Sequence, residues 1–351
     1  MADTPFQSVV PGHRQPPSGG HPPPIAPLEG GFPRPRISVM LPTFEPDASL
    51  ERALSSVLSQ APTTTAMQIA VVDDGSRSSD VRRLVRSVDR DGRVEIHLHR
   101  QRLGLGPNWN RAIALARGEL VHLLHQDDYV LPGFYERVDQ GFRRVPALGM
   151  AFCRTRIVDG GDRLIKTTSR QQWTAGVLGG WLPRIAERQR VQTPSAVVPR
   201  ATYERLGGFR TDLRQAVDWE MWVRIAADAP VWYNPCVLSV YRRHRHSEST
   251  RLLSSGAIWP DLIRAIAINA ARLPEEQREK VRQASARWYA GSAIRTVEKQ
   301  LAGGEYHAAA LTLEHLPRLL EFLPDSGNHS LPLRRAGLLQ ERLRSIHRRA
   351  A

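Results

Sequence analysis

From residue 37 onward the chain alternates short apolar runs with stretches whose apolar residues recur every third or fourth position. The short runs, bounded by turn residues, predict buried strands; the wider spacing predicts amphipathic helices. Ile37–Leu41 is the first predicted strand, ending in the turn Pro42-Thr43-Phe44-Glu45-Pro46. Asp47 is placed to cap a helix with the stripe Leu50, Leu54, Val57 and Leu58. Ile69–Val72 is a second strand, broken by Asp73-Asp74-Gly75-Ser76. Residues 79–89 form a helix through Val81, Leu84, Val85 and Val88, and Val94–Leu98 is a third strand. Arg100–Pro107 is a glycine-bearing loop before a short helix, Asn108–Ala116. Leu120–Leu124 is the fourth strand, and His125-Gln126-Asp127-Asp128 follows it directly.

Pro132 is suited to the first turn of a helix carrying Phe134, Val138 and Phe142. Gly149–Cys153 and Cys236–Tyr241 read as strands and Asp218–Ala227 as a helix. Residues 154–195 are less regular, and residues 257–350 are mostly helical. Strands alternating with helices define an α/β fold, a doubly wound, mostly parallel sheet covered on both faces. Residues 1–35 lack aliphatic periodicity and carry Pro16, Pro17, Pro22, Pro23 and Pro24, a composition expected to be disordered.

Length and charge narrow the picture. A chain of 351 residues can bury a large core. Its net charge of +14, from 49 basic and 35 acidic residues, fits an arginine-rich solvated surface. Anionic membrane, polyanionic sugar and nucleic acid are the other readings, but no nucleic-acid motif accompanies the charge, so no nucleic-acid partner is expected. Cys153 and Cys236 sit in apolar runs, as small hydrophobes in a reducing compartment do. No signal-peptide core and no run of about 18 apolar residues occurs, so a cytoplasmic protein is expected. Residues 330–351, with Arg334, Arg335, Arg342, Arg344, Arg348 and Arg349, fit either a helix packed on its own domain or a basic amphipathic helix lying peripherally on an anionic inner membrane face.

Two strand ends carry adjacent acids. Ligands of open α/β sheets bind at the carboxyl ends of strands, and paired carboxylates there repel unless a cation joins them. Asp127 thus reads as a ligand for Mg²⁺ or Mn²⁺ bridging phosphates, or as part of a turn. Asp73 and Asp74 read as acceptors for a base or ribose, or as turn residues. Arg102–Asn108, with Gly104 and Gly106, resembles a phosphate-cradling loop before a helix. Asp218 reads as a helix cap or as a general base. The run Tyr241-Arg242-Arg243-His244 offers Arg242 to a diphosphate and His244 to a metal or phosphate.

In order and spacing these pieces resemble the inverting family 2 glycosyltransferases of the GT-A fold. They run from Ile37–Phe44 through Val71–Ser76, Gly104–Asn110, Leu123–Asp128 and Asp218–Arg224 to Tyr241–His244. The resemblance implies a transferase domain over residues 36–250 and a helical, Arg-rich region over 251–351. It implies a UDP-, GDP- or dTDP-linked sugar donor, a saccharide or lipid-linked acceptor and a divalent metal, Mn²⁺ or Mg²⁺. Pro42, Thr43, Phe44, Glu45, Asp73, Asp74, Gly104, Asn108, Asp128 and Arg242 would hold the donor. Asp127 matches the last acid of the metal motif, with His244 and His125 as further ligands, and Asp218 matches the catalytic base. His125 stands where the family's first metal-motif Asp usually sits, Val217 where Glu often precedes the base, and Glu45 where Asn is frequent. A nucleotide-sugar-binding protein without catalysis and a sugar-phosphate nucleotidyltransferase are the alternatives; the second lacks a Gly-rich triphosphate loop followed by lysine.

Overall fold

The computed structural model describes residues 20–30, 33–61, 66–244, 247–323, 335 and 337–343. In chain order the elements begin β1 (Ile37–Thr43), α1 (Ser49–Leu58), β2 (Met67–Asp73), α2 (Val81–Val88), β3 (Val94–Leu98) and α3 (Leu105–Leu115). They continue with β4 (Leu120–Leu123), β5 (Tyr129–Val130), α4 (Phe134–Arg144), β6 (Met150–Val158), β7 (Leu164–Thr167), β8 (Gly176–Val177) and α5 (Trp181–Glu187). Then come β9 (Ala196–Pro199), α6 (Arg200–Leu206), α7 (Val217–Asp228) and β10 (Val231–Arg242). The last are α8 (Glu248–Ser254), α9 (Ile258–Ala270), α10 (Glu275–Ala302) and α11 (Tyr306–Leu320).

The chain divides into two compact units. The first comprises the described residues up to Gly179 together with Arg190–Asp212 and Asp228–Arg243; the second comprises Gly180–Gln189, Leu213–Ala227 and the described residues from His244 onward. The helical region expected from residue 251 thus starts a few residues earlier and also recruits two internal segments.

The first unit is one sheet with the strand order β3-β2-β1-β4-β9-β6-β10-β5. β1 runs parallel to β2 and β4, and β2 to β3. β9 is antiparallel to both β4 and β6, so β6 points the same way as β4; β10 is parallel to β6. Six strands therefore end at one carboxyl edge. β5, β7 and β8 pair antiparallel, which makes the sheet mixed.

Side chains alternate along a strand. One face presents Val39, Leu41, Ile69 and Val71 to the buried stripe Leu50, Ala53, Leu54 and Val57 of α1. Each such aliphatic side chain contributes about 1.5–3 kcal/mol on burial. The residues between them, Met40, Ala70 and Val72, are equally buried and face the other side, where α3 packs on β1 and β2.

Several local expectations shift. Asp47 does not cap α1: Ala48 holds that position, and Asp47 instead accepts from the Ser49 amide at 2.8 Å. α4 starts at Phe134 behind a left-handed Gly133, so Pro132 lies outside the helix. α3 starts at Leu105, not Asn108, because Gly104 (φ 92°) turns the chain into it. β6 and β10 extend further than their apolar cores, since each is bonded along its length by the other. The expectation of disorder through residue 35 is corrected for the described part. Residues 20–30 are irregular, yet Ile25 is buried, Pro23 O accepts from the Gly208 amide at 2.7 Å, and Ala26 O accepts from Arg200 at 3.0 Å. Residues 1–19 lie outside the described residues.

The second unit is helical, with α10 packed against α5, α9 and α11. Its core contains Trp181, Trp219, Met221, Trp222, Trp259, Tyr289 and Leu316. Trp219 donates its indole N–H to Ile185 O at 2.6 Å and its ring tilts against Tyr289. Glu220 and Arg224, 0% and 2% exposed, pair one helical turn apart at 2.8 Å, and Arg272 stands 3.7 Å from the same carboxylate. In the C-terminal stretch Leu339 and Leu343 are buried and Arg335 pairs with Glu298, a helix packed on its own unit; the rest of the tail lies outside the described residues. No helix among the described residues is long and apolar enough to cross a membrane.

Candidate active site

Because β1, β2 and β4 are neighbours and parallel, their carboxyl tips stand side by side. Thr43 is in register with Asp73. Its hydroxyl donates to Asp73 Oδ1 at 3.2 Å, and Ser76 donates to the same carboxylate through its hydroxyl (2.5 Å) and amide (2.8 Å). Asp74, also buried, accepts from the amides of Leu103 (2.7 Å) and Gly104 (2.9 Å). Burial pushes the Asp74 carboxyl above its ordinary range, opposed by those two amides. Gly75 follows the two acids at φ 76°, and a Cβ there would fall 2.9 Å from the Gln101 carbonyl carbon. These bonds alter the reading of the loop before α3. Its amides face a carboxylate of the protein itself, so Asp74 sits where a phosphate was expected.

Glu45 has a similar internal task. Held at φ 45°, it accepts from the amides of Arg77 (2.8 Å), Ser78 (3.1 Å) and Ser79 (3.1 Å) and from the Ser78 hydroxyl. The Ser78 hydroxyl, first, and the Arg77 amide lower its pKa to about 2. The unfolded chain then binds the proton more readily, so Glu45 stabilises the fold above about pH 4.5, and this is lost as pH falls toward 2. Glu45→Gln should lower stability at neutral pH, converge with wild type as pH falls toward 2, and so flatten the pH dependence across that window. Acid titrations followed by circular dichroism that superimpose for wild type and variant would contradict this.

At the β4 tip Gln126 accepts from the Phe44 amide (2.8 Å) and donates to the Phe44 carbonyl (3.2 Å). This side chain ties the β1 turn to the β4 turn. The Phe44 ring carries the Arg102 guanidinium 3.8 Å from its centroid, a cation–π contact. Asp128, buried, accepts from the Arg242 amide at 3.0 Å and faces His125 Nδ1 at 3.4 Å. Burial raises the Asp128 pKa, opposed mainly by His125. Arg242 itself bonds Asp127 O (3.2 Å), Gly160 O (3.1 Å) and Asp162 (3.0 Å), so its guanidinium braces this loop. His125 stacks on Trp109 at 4.7 Å. In α3, Asn108 donates to Val72 O at 3.1 Å, while its own carbonyl oxygen is buried without a partner.

The β4 tip suits a hard or borderline cation in donor type. A carboxylate beside Nδ1 favours the proton there and leaves Nε2 as an acceptor. His125 Nε2 is buried without a hydrogen bond, Asp128 Oδ2 meets His125 Nδ1 at 3.4 Å, and Asp127 is half-buried beside them. No group of three or more His, Cys, Asp or Glu side chains among the described residues is already arranged around a common point.

Asp218 and His244 belong to the second unit. Asp218 lies in the first turn of α7, half-buried, with Oδ1 accepting from the Trp219 amide at 2.7 Å. The segment just before it is fixed by Asp261 of α9, whose carboxylate accepts from the amides of Arg214 (2.9 Å), Gln215 (2.7 Å) and Ala216 (2.7 Å). His244 O accepts from Ser247 N (3.2 Å) and Thr250 Oγ1 (3.1 Å) ahead of α8.

Of the residues expected from sequence, the structure gathers Pro42, Thr43, Phe44, Glu45, Asp73, Asp74, Gly104 and Asn108 around the β1 and β2 tips, and His125, Asp127, Asp128 and Arg242 around the β4 tip. Gln126, Ser76, Arg102, Trp109 and Asp261 were not singled out. Gln126 and Ser76 stand inside the quoted motifs, where hydrogen-bonding side chains next to acids were the available signal. Trp109 and Asp261 carry none, since only the folded chain brings them to their partners.

A mixed sheet whose parallel strands end in an acidic edge, joined to a helical region, is the architecture of GT-A glycosyltransferases. TarS of S. aureus, solved with UDP-GlcNAc, shares it: TM-score 0.61 and 17% identity over 82% of each chain. The profile of glycosyl transferase family 2 matches residues 38–218, more than half of the chain. The chain belongs to this family and is a glycosyltransferase. Uncharacterized protein MT1568 of Mycobacterium tuberculosis is 33% identical over 63% of this chain and 72% of its own. Chondroitin synthase of Escherichia coli is 25% identical over 62% of this chain, which spans only 30% of that protein.

Proposed function

We propose that the protein is a metal-dependent inverting glycosyltransferase moving a sugar from a nucleotide-sugar, UDP-linked by preference, to an acceptor hydroxyl in polysaccharide or glycoconjugate synthesis. The observation that carries the reading is the connected acidic edge: Thr43, Asp73 and Asp74 at two strand tips, joined through Phe44 and Gln126 to His125, Asp127 and Asp128 at a third. The UDP-GlcNAc and UDP complexes of TarS and the polysaccharide synthases among the relatives support the donor and product classes.

The β1 and β2 tips hold the nucleoside, Phe44 and Arg102 offering a flat cationic–aromatic surface. Asp127 and His125 would hold a divalent cation, with His244 the further ligand that the family resemblance implies; such an ion would supply positive charge to a departing diphosphate. Mn²⁺ suits the imidazole better than Mg²⁺ does. Asp218 takes the proton from the acceptor hydroxyl, whose oxygen attacks the anomeric carbon opposite the leaving diphosphate. The new C–O bond forms as the old one breaks, and the centre inverts.

A ligand that binds only the folded state at 100 times its Kd adds about 2.7 kcal/mol. UDP-sugar with Mn²⁺ should accordingly raise the melting temperature by roughly 5–10 °C. Asp127→Ala should lose the Mn²⁺-dependent part of that rise. Equal shifts with and without Mn²⁺ in the wild type would remove the metal from the reading; no shift with any nucleotide-sugar would remove the donor.

A further inference from the structure

A cleft of about 350 Å³ opens in the first unit, lined among others by Tyr129, Arg154, Arg156, Asp162, Leu164 and Val237. That volume lies within the range of about 300–1,000 Å³ usual for ligand pockets. Its place in the fold is informative. Arg154 lies at the middle of β6 and Arg156 in its C-terminal half, with Val237 in the C-terminal half of β10. Both strands end at the carboxyl edge that carries the acidic tips, where ligands of such sheets bind. Tyr129 follows Asp127-Asp128 directly in the chain, and Arg242 links Asp127 O to Asp162 on the cleft wall.

The charge of the cleft is uneven. Its one acid, Asp162, is already paired with Arg52 and with Arg242. Arg52 also lies 4.0 Å over the Tyr129 ring. Arg154 uses its Nε on Thr168 O at 3.0 Å. Arg156 is exposed, and its guanidinium donates to no protein acceptor among the described residues. Two guanidinium groups two residues apart point to the same side of β6, and no further acid of the cleft compensates them. Guanidinium forks match the geometry of carboxylate and phosphate. Around them Tyr129, Val237 and Leu164, the last 61% exposed, offer apolar surface to the C–H faces of sugar rings.

We propose that this cleft is an acceptor subsite, binding an anionic saccharide whose carboxylate or phosphate is held by Arg154 and Arg156. The acceptor role rests on the transfer reaction proposed above; the binding itself does not. Calorimetric titrations of the full chain test it with three probes: a tetrasaccharide alternating glucuronate with N-acetylhexosamine, a phosphodiester-linked hexose tetramer, and a neutral N-acetylglucosamine tetramer. One anionic probe should bind and the neutral one should not, and which anionic probe binds identifies the charged group. Arg156→Ala removes an exposed side chain without a protein partner, so it should fold as wild type yet bind about tenfold to 100-fold more weakly. Arg156→Lys, which keeps the charge but loses the fork, should fall between. Equal binding of the neutral tetramer, no binding of either anionic probe, or wild-type affinity in Arg156→Ala and in the Arg154→Ala/Arg156→Ala double variant would overturn the proposal. A protein that is stabilised by nucleotide-sugar but binds no anionic tetramer refutes the cleft alone. One that binds the anionic tetramer but is never stabilised by nucleotide-sugar refutes the donor reading alone.

Discussion

Asp218→Asn should lower kcat by about 10²–10⁴, the usual contribution of a positioned general base. The fold should survive the exchange. Asn keeps an oxygen that can accept from the Trp219 amide, the bond Asp218 makes at 2.7 Å. The segment before α7 remains held by the three amide bonds to Asp261. A melting temperature within about 4 °C of wild type, equivalent to about 1 kcal/mol, would show the fold intact. Donor binding should persist, so the loss should fall on kcat with little change in donor KM. Transfer assayed by release of nucleoside diphosphate decides it: a variant turning over at the wild-type rate has its base elsewhere. A wild-type chain that binds nucleotide-sugar but never turns it over, across a broad acceptor panel, would instead favour recognition without catalysis.

The second large effect lies two residues further along the same helix. Glu220→Ala should destabilise the protein by about 3–5 kcal/mol, because it leaves Arg224 buried without its carboxylate. Arg224 is 2% exposed and Glu220 0%. Arg272, 3.7 Å from the same acid, would lose a partner as well. The fall in melting temperature should be roughly 6–20 °C at about 2–4 °C per kcal/mol. Replacing both members, Glu220→Leu with Arg224→Met, should recover most of the loss, since apolar groups of similar volume need no compensation. If Glu220→Ala melts with wild type, the pair is not sealed from water as its burial implies. Comparing this variant with Asp218→Asn separates damage to the helix from damage to chemistry.

Much of the first unit was legible in the sequence. The alternation of apolar runs with helical stripes located the leading strands and helices within a few residues, because buried parallel strands must be apolar on both faces. The acids at the strand ends were legible for the same reason: a carboxylate directly after a buried run stands out. What those acids do was not. Asp73 and Asp74 were read as ligand contacts or turn residues and Glu45 as a ligand contact; all three accept hydrogen bonds within the chain, from Thr43, Ser76, the Ser78 hydroxyl and the amides of residues 77–79, 103 and 104. Apart from Ser76, three residues from Asp73, these partners lie 29 to 34 residues away, and no local pattern encodes them. The full length of β10 was missed because Asn234-Pro235 interrupts its apolar run; its pairing with β6 shifts register just after Asn234. The second unit was the hardest to see. Its internal segments, residues 180–189 and 213–227, join helices that follow in the chain, and periodicity says nothing about long-range docking.

The carboxylate of Asp74 has one consequence for ligand chemistry. It already accepts from the Leu103 and Gly104 amides that lead into α3, so those two donors are not open to a visiting polyphosphate. Counter-charge for a nucleoside diphosphate must then come from outside the backbone. Nucleotide affinity should accordingly depend on cationic side chains or bound cations more than it would in a protein with an open glycine cradle.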